Sequence, residues 1–254
     1  TLIPKVKSYQ VDISDKEKLD KTINYIRPEI IIHLAAISNA NLCENNPELS
    51  EAINVTGTKN ITEIAERYSI KLLFTSTDLV FDGNNAPYTE NSRAKPISVY
   101  GKHKVIAEQI VSSYFKSTIF RLPLMFGKAA AHSSSFLQGM TKSLLEGKET
   151  KLFSDEYRTP VSAEKISHGI LELCHTREKL IHLGGDTRIN RVELGKQVAK
   201  ILKIESPTIK SVLRDDIKMA AQRPADTSLD NNLAKANNFS PGNLFSELAK
   251  TLEV

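Results

Sequence analysis

Only two cysteines occur in the 254 residues, Cys43 and Cys174, and they lie far apart. Neither has the spacing of a thiolate metal site, and two isolated thiols read as reduced cysteines rather than a disulfide framework. No apolar run approaches the roughly 18 residues of a membrane span, and no basic n-region followed by an apolar h-region is present. Net charge is low, +4 at pH 7, and basic residues are spread along the chain. A nucleic-acid partner, which would want a clustered basic face, is therefore not expected, whereas a small anionic substrate is. Internal repeats and low-complexity linkers are also missing. What remains is a soluble, cytoplasmic, metal-free globular protein. It is long enough to bury a real core as one large or two modest domains.

What is present is an alternation of strand-length apolar runs and helix-period stretches. Residues 8–11 read as a short strand. Lys16 to Ile26 carries Leu19, Ile23 and Ile26 at helical spacing. Residues 30–34 are a continuous, mostly β-branched run, as expected of a strand buried on both faces of a parallel sheet. Pro47 to Tyr68 reads as one long helix, residues 71–75 as the next strand, Val99 to Tyr114 as a helix and residues 118–122 as a strand. This β-α-β-α order predicts an α/β fold, a doubly wound parallel sheet with right-handed crossovers. After Gly127 the rhythm loosens. Residues 128–134 read as a small-residue loop. Helices follow at 136–145, 162–174 (Ile166, Ile170, Leu171 and Leu173 inward) and 191–202, with strands at 151–153 and 180–183 and a last short helix.

The chemistry is concentrated in residues 76–104. Ser76-Thr77-Asp78 ends one strand, and Tyr100 and Lys104 stand four apart on the following helix, one turn apart on one face. An ammonium beside a phenol favours the phenolate and lowers its pKa, so such a Tyr can exchange a proton with a carbonyl or alcohol oxygen. The hydroxyl of Thr77 is placed to hold the same oxygen. Tyr-x-x-x-Lys alone says little, because chance yields it in a lysine-rich chain with seven tyrosines. Its strand-loop-helix context is what gives it weight. Ligands of open parallel sheets bind beyond the carboxyl ends of the strands, which here are Ala35-Ala36, Ser76-Thr77 and Leu122-Pro123. His33, alone inside an apolar strand, reads as a core histidine.

Taken together, these phrases resemble the extended short-chain dehydrogenase/reductase superfamily, and within it most closely the dTDP-4-dehydrorhamnose reductase branch. The matching segments are residues 11–15, 33–36, 54–58, 76–83 and 88–90, then 96–104 with Glu108, Arg121, 158–160 and 223–224. They run in the family's order over nearly the whole chain. The resemblance implies a Rossmann-like fold binding NADP or NAD and a nucleotide-sugar substrate. It implies Tyr100 as proton donor to a C4 keto group, Lys104 as the residue that tunes it and holds the nicotinamide ribose, and Thr77 as the orienting hydroxyl. Asp12 would lie near the adenine, Ala35, Ala36 and Ser76 along the cofactor, and Leu122 and Pro123 near the carboxamide. Asp78 would face the substrate, and Arg158 and Arg223 its diphosphate, for which a guanidinium fork is suited. The implied division is residues 1–127 with about 161–183 for the dinucleotide, and 128–160 with 184–254 for the substrate; a homodimer is possible.

Two departures stand out. Leu79 occupies the place where the family has Tyr after Ser-Thr-Asp. The Gly-rich turn that seats a pyrophosphate on a helix N-terminus is also missing, so a preceding βαβ unit of about 30 residues or more is expected. The leading expectation is an NAD(P)H-dependent reductase of a nucleotide-linked 4-keto sugar. The alternatives are a sugar-nucleotide epimerase or dehydratase of the same superfamily, or a non-catalytic regulatory subunit of this fold.

Overall fold

The computed structural model describes residues 6–128 and 135–253. Beyond Lys128, the expected small-residue loop at 128–134 lies outside the described residues. In chain order the first half runs α1 (Lys16–Ile26), β1 (Ile30–His33), α2 (Ala40–Asn45), α3 (Pro47–Glu51), a π-helical turn (Ala52–Gly57), α4 (Thr58–Arg67), β2 (Lys71–Thr77), α5 (Val99–Ser112) and β3 (Ser117–Leu122). The second half adds β4 (Met125–Phe126), α6 (Phe136–Leu145), β5 (Thr150–Phe153), β6 (Tyr157–Arg158), β7 (Val161–Ser162), α7 (Ala163–Glu172) and β8 (Leu180–His182). It ends with β9 (Ile189–Asn190), α8 (Arg191–Ile201), β10 (Ile209–Val212), α9 (Asn232–Ala236) and α10 (Leu244–Leu252).

A four-stranded parallel sheet in the order β1-β2-β3-β8 organises the first half, as the α/β pattern predicts. One face packs on α1, α4 and α5 through Leu19, Ile64, Phe74, Val111 and Tyr114. The other packs on α7 and α9 through Leu73, Phe120, Ile170, Ile181 and Phe239. A further apolar cluster joins α6, α8 and α10 through Leu137, Leu152, Val198 and Leu248. There β5 and β10 pair in parallel.

Helix starts coincide with side-chain caps. Asp15, Ser98, Ser135 and Ser162 each accept a backbone N–H three residues on, and Asn190 with Glu193 forms a capping box at α8. Four expectations need correction. Residues 8–11 are not a strand, because no neighbouring strand among the described residues pairs with them and their side chains are mostly exposed. In β1 only His33 is buried; Ile32 is 38% exposed because β1 pairs with β2 on one side alone among the described residues. Leu171 points outward at 60% exposure. The long helix from Pro47 is interrupted by the π-helical turn, which apolar spacing does not reveal.

Arg121, on the central strand β3, ties the sheet to α5. Its Nε and Nη2 donate to the two oxygens of Glu108 at 2.9 and 2.7 Å, and its Nη1 meets His182 Nε2 at 3.3 Å, all of it buried. Removing one partner of a buried pair leaves the other charge uncompensated. Arg121→Met is therefore expected to lower unfolding free energy by about 3–5 kcal/mol, read as a fall in the urea midpoint.

Candidate active site

At the carboxyl end of β2, the strand delivers Ser76 and Thr77 and a short 3-10 turn carries Asp78 and Leu79. The Ser98 cap starts α5 at Val99, which sets Tyr100 in the first turn and Lys104 one turn later, both buried. The loop after β1 is pinned from the π-helical turn, where Asn54 bonds both the N–H and the C=O of Ile37, at 2.9 and 3.0 Å. These segments and the second half enclose a cavity of about 790 Å³. Ala36, Ser76, Thr77, Asp78, Tyr100, Lys104, Leu122, Pro123, Arg158 and Arg223 all line it. Asp12 and Ala35 do not. Asp12 is exposed and closes a local turn by accepting from Ser14, and Ala35 is exposed after β1.

The electrostatics differ from the simple Tyr/Lys expectation. Lys104 Nζ donates to the Thr75 carbonyl at 2.7 Å and lies 3.9 Å from the Phe74 ring centroid. Burial pushes Lys104 down to about 7, with Glu108 opposing. Burial and then the Asp78 carboxylate push the Tyr100 phenol up, with Thr77 opposing, so the phenol holds its proton rather than losing it. That direction suits a donor more than a base. Asp78 is raised by burial and held back mainly by Arg158. Its Oδ2 accepts from Thr227 Oγ1 at 2.6 Å and faces Arg158 Nε at 3.3 Å, while Oδ1 accepts from Thr77 Oγ1 at 3.2 Å.

On the same cavity wall, Glu156 receives Arg191 Nη2 at 2.7 Å and Nε at 2.9 Å and faces Arg158 Nη2 at 3.6 Å. With Arg223 also lining the wall, three guanidiniums surround one buried glutamate. Sequence reasoning missed Arg191, Glu156 and Thr227. The Asn190-Glu193 capping box marks where α8 begins, but nothing local marks Arg191 as facing the cavity.

Gly101 sits between Tyr100 and the Thr77 turn. A Cβ there would run into the Leu79 carbonyl oxygen and lie 2.9 Å from Pro96 Cβ. Gly101→Ala is expected to push α5 off the turn and cost about 1–3 kcal/mol of stability, read as a fall in the urea midpoint.

The RmlD substrate binding domain family matches residues 2–253. The chain belongs to that family. Among other members of the wider fold, it is 27% identical over 227 residues to the probable low-salt glycan biosynthesis reductase Agl14 of Haloferax volcanii, covering 87% of this chain and 76% of that protein. It is 25% identical to methionine adenosyltransferase 2 subunit beta of Rattus norvegicus, over 87% of this chain and 68% of that one. The crystal structure of dTDP-4-dehydrorhamnose reductase from Bacillus anthracis in complex with NADP superposes with a TM-score of 0.89 at 25% identity, covering 96% of this chain and 87% of the other. The cavity of this RmlD-family chain thus lies in a fold whose solved neighbours include a reductase. Among the described residues no cluster suited to a metal ion occurs, and no helix is long and apolar enough to cross a membrane.

Proposed function

We propose that the chain is an NAD(P)H-dependent reductase of a nucleotide-linked 4-keto sugar, of the dTDP-4-dehydrorhamnose reductase type. The observation that carries this reading is the shared cavity. Thr77, Tyr100 and Lys104 line it together with Arg158, Arg191 and Arg223, and Asp78 stands between Thr77 and Arg158. A keto group beside the hydroxyls of Thr77 and Tyr100 and a diphosphate on the guanidiniums match that set of side chains. In this reading residues 1–127 with about 161–183 serve the dinucleotide, and 128–160 with 184–254 the substrate.

The nicotinamide end fits the residues present. Ser76 Oγ is buried on the cavity wall without a hydrogen-bond partner, beside Leu122 and Pro123. A carboxamide or ribose hydroxyl would satisfy it. Lys104 spends one of its three ammonium donors on Thr75, leaving two for a ribose. The bound nicotinamide would supply the hydride. Tyr100 Oη gives its proton to the keto oxygen as that oxygen becomes a hydroxyl, and Thr77 fixes the oxygen in place. Arg158 and Arg223 anchor the nucleotide end.

A regulatory, non-catalytic role is favoured by one residue, since Leu79 packs with Tyr100 where the reductase branch has a hydroxyl. The discriminating experiment mixes full-length protein with NADH or NADPH and dTDP-4-dehydrorhamnose and follows reduced-nicotinamide absorbance. Oxidation requiring both partners supports the reductase. Cofactor binding without oxidation moves the weight to another keto sugar or to epimerase or dehydratase chemistry. Absence of both sustains the regulatory reading.

A further inference from the structure

We propose that Asp78 works as a neutral carboxylic acid that donates to Thr77 Oγ1, so that the single Thr77 proton is aimed at the substrate's keto oxygen. The inference rests on the reductase reading and assigns Asp78 as a positioning residue within it. It follows from counting hydrogen-bond capacity. A threonine hydroxyl has one donor and two acceptor positions. The Leu79 N–H already donates to Thr77 Oγ1 at 3.2 Å, taking one acceptor position. Asp78 Oδ1 lies 3.2 Å away on another side. An ionised Asp78 only accepts, so Thr77 would have to spend its one proton there and have none for a keto oxygen. A protonated Asp78 reverses that bond and frees the Thr77 proton.

The surroundings support the neutral form. Asp78 is 4% exposed and is the one aspartate among the buried described residues. The groups facing it are Tyr100 and Lys104 from α5, Arg158 from β6 with Glu156 behind it, Arg191 from α8, and Thr227 from the segment before α9. Burial disfavours its charge and Arg158 opposes that. An anionic substrate on Arg158 would neutralise the opposing charge, so substrate binding and protonation of Asp78 reinforce each other. Turnover is then present while Asp78 is neutral and falls as pH rises through its titration in the complex.

The test uses full-length protein with isotope-labelled aspartate. Infrared difference spectra at neutral pH, with thymidine diphosphate bound, should show a protonated carboxylic acid band from aspartate that is absent in Asp78→Asn. An Asn amide also donates to Thr77 and cannot ionise. The variant should stay within about tenfold of wild-type turnover, against a loss of about 10²–10³-fold in Thr77→Val. Its kcat profile, which reports groups titrating in the complex, should lack the Asp78 step while keeping that of Lys104. A carboxylate band alone would overturn the proposal. So would a folded Asp78→Asn protein as impaired as Thr77→Val. Should the wild type reduce no keto sugar, the reductase reading fails, and the infrared band still decides the protonation of Asp78.

Discussion

Tyr100→Phe is expected to cut reductase turnover by about 10²–10⁴-fold, the range set by loss of a positioned general acid, while the protein still binds its nicotinamide cofactor. The substitution removes only the phenolic oxygen. The ring keeps its packing against Ala40, Cys43 and Ala221, so the fold and the cavity wall survive. The oxygen it removes belongs to a phenol that burial above all holds in the protonated form. Such a group delivers its proton only when a stronger base, the developing alkoxide, appears beside it. Lys104 does not take over in this reading, because its Nζ is held on Thr75 O and over the Phe74 ring and its remaining donors serve the ribose. The measurement is a single-turnover assay with calorimetric titration of the cofactor on the same sample. Undiminished turnover would remove Tyr100 from the mechanism.

Local signals in the sequence were sufficient where the physics is local. α1 and α6 begin and end where the apolar period and the caps at Asp15 and Ser135 place them. The parallel sheet was legible because residues 71–75 and 118–122 are short apolar runs between helical stretches. Residues 8–11 show the limit, since a strand exists only if another pairs with it. The same limit hid β10, whose parallel partner β5 lies far upstream. In the site, Thr77, Tyr100 and Lys104 were legible because one strand end and one helix turn carry them. The Asp78–Thr227 bond spans 149 residues, and Arg191 reaches Glu156 from 35 residues away. No spacing rule connects such positions; the folded second half brings them together. The direction of the Tyr100 shift was likewise misjudged from Lys104 alone, because burial depth and Asp78 enter only with the tertiary structure.

Acidification from pH 6.5 to pH 5 is expected to cost about 3 kcal/mol of unfolding free energy from two histidines that the function does not use. His33 lies between Phe74 and Thr58, with Nε2 3.0 Å from Thr58 Oγ1, and burial, helped by Lys104, pushes it down to about 3. His182 lies between Arg121 Nη1 and the Tyr88 carbonyl, and burial, helped by Arg121, pushes it also to about 3. Both rings therefore stay neutral in the native state throughout this interval, whereas in the unfolded chain they take up protons below about 6.5. The unfolded state then binds more protons, and stability falls with pH, the slope for each histidine reaching about 1.4 kcal/mol per unit once the unfolded imidazole is fully protonated. The loss is absent above the unfolded value and continues until the native rings themselves titrate near 3. Paired carboxylates such as Glu156, held below the usual range, add their own loss only at lower pH, whereas Asp78, raised by burial, keeps its proton in the native state and offsets part of the loss, so the measurement is made in the Asp78→Asn background. Since a domain typically has only about 5–15 kcal/mol in hand, the effect is a readily measured share of it. Urea midpoints at the two pH values measure it, and His33→Gln, which cannot ionise, should remove the His33 share, about half of what the two rings contribute; His103, also lowered by burial, adds to what remains. An equal slope in that variant would show that His33 is protonated in the native fold.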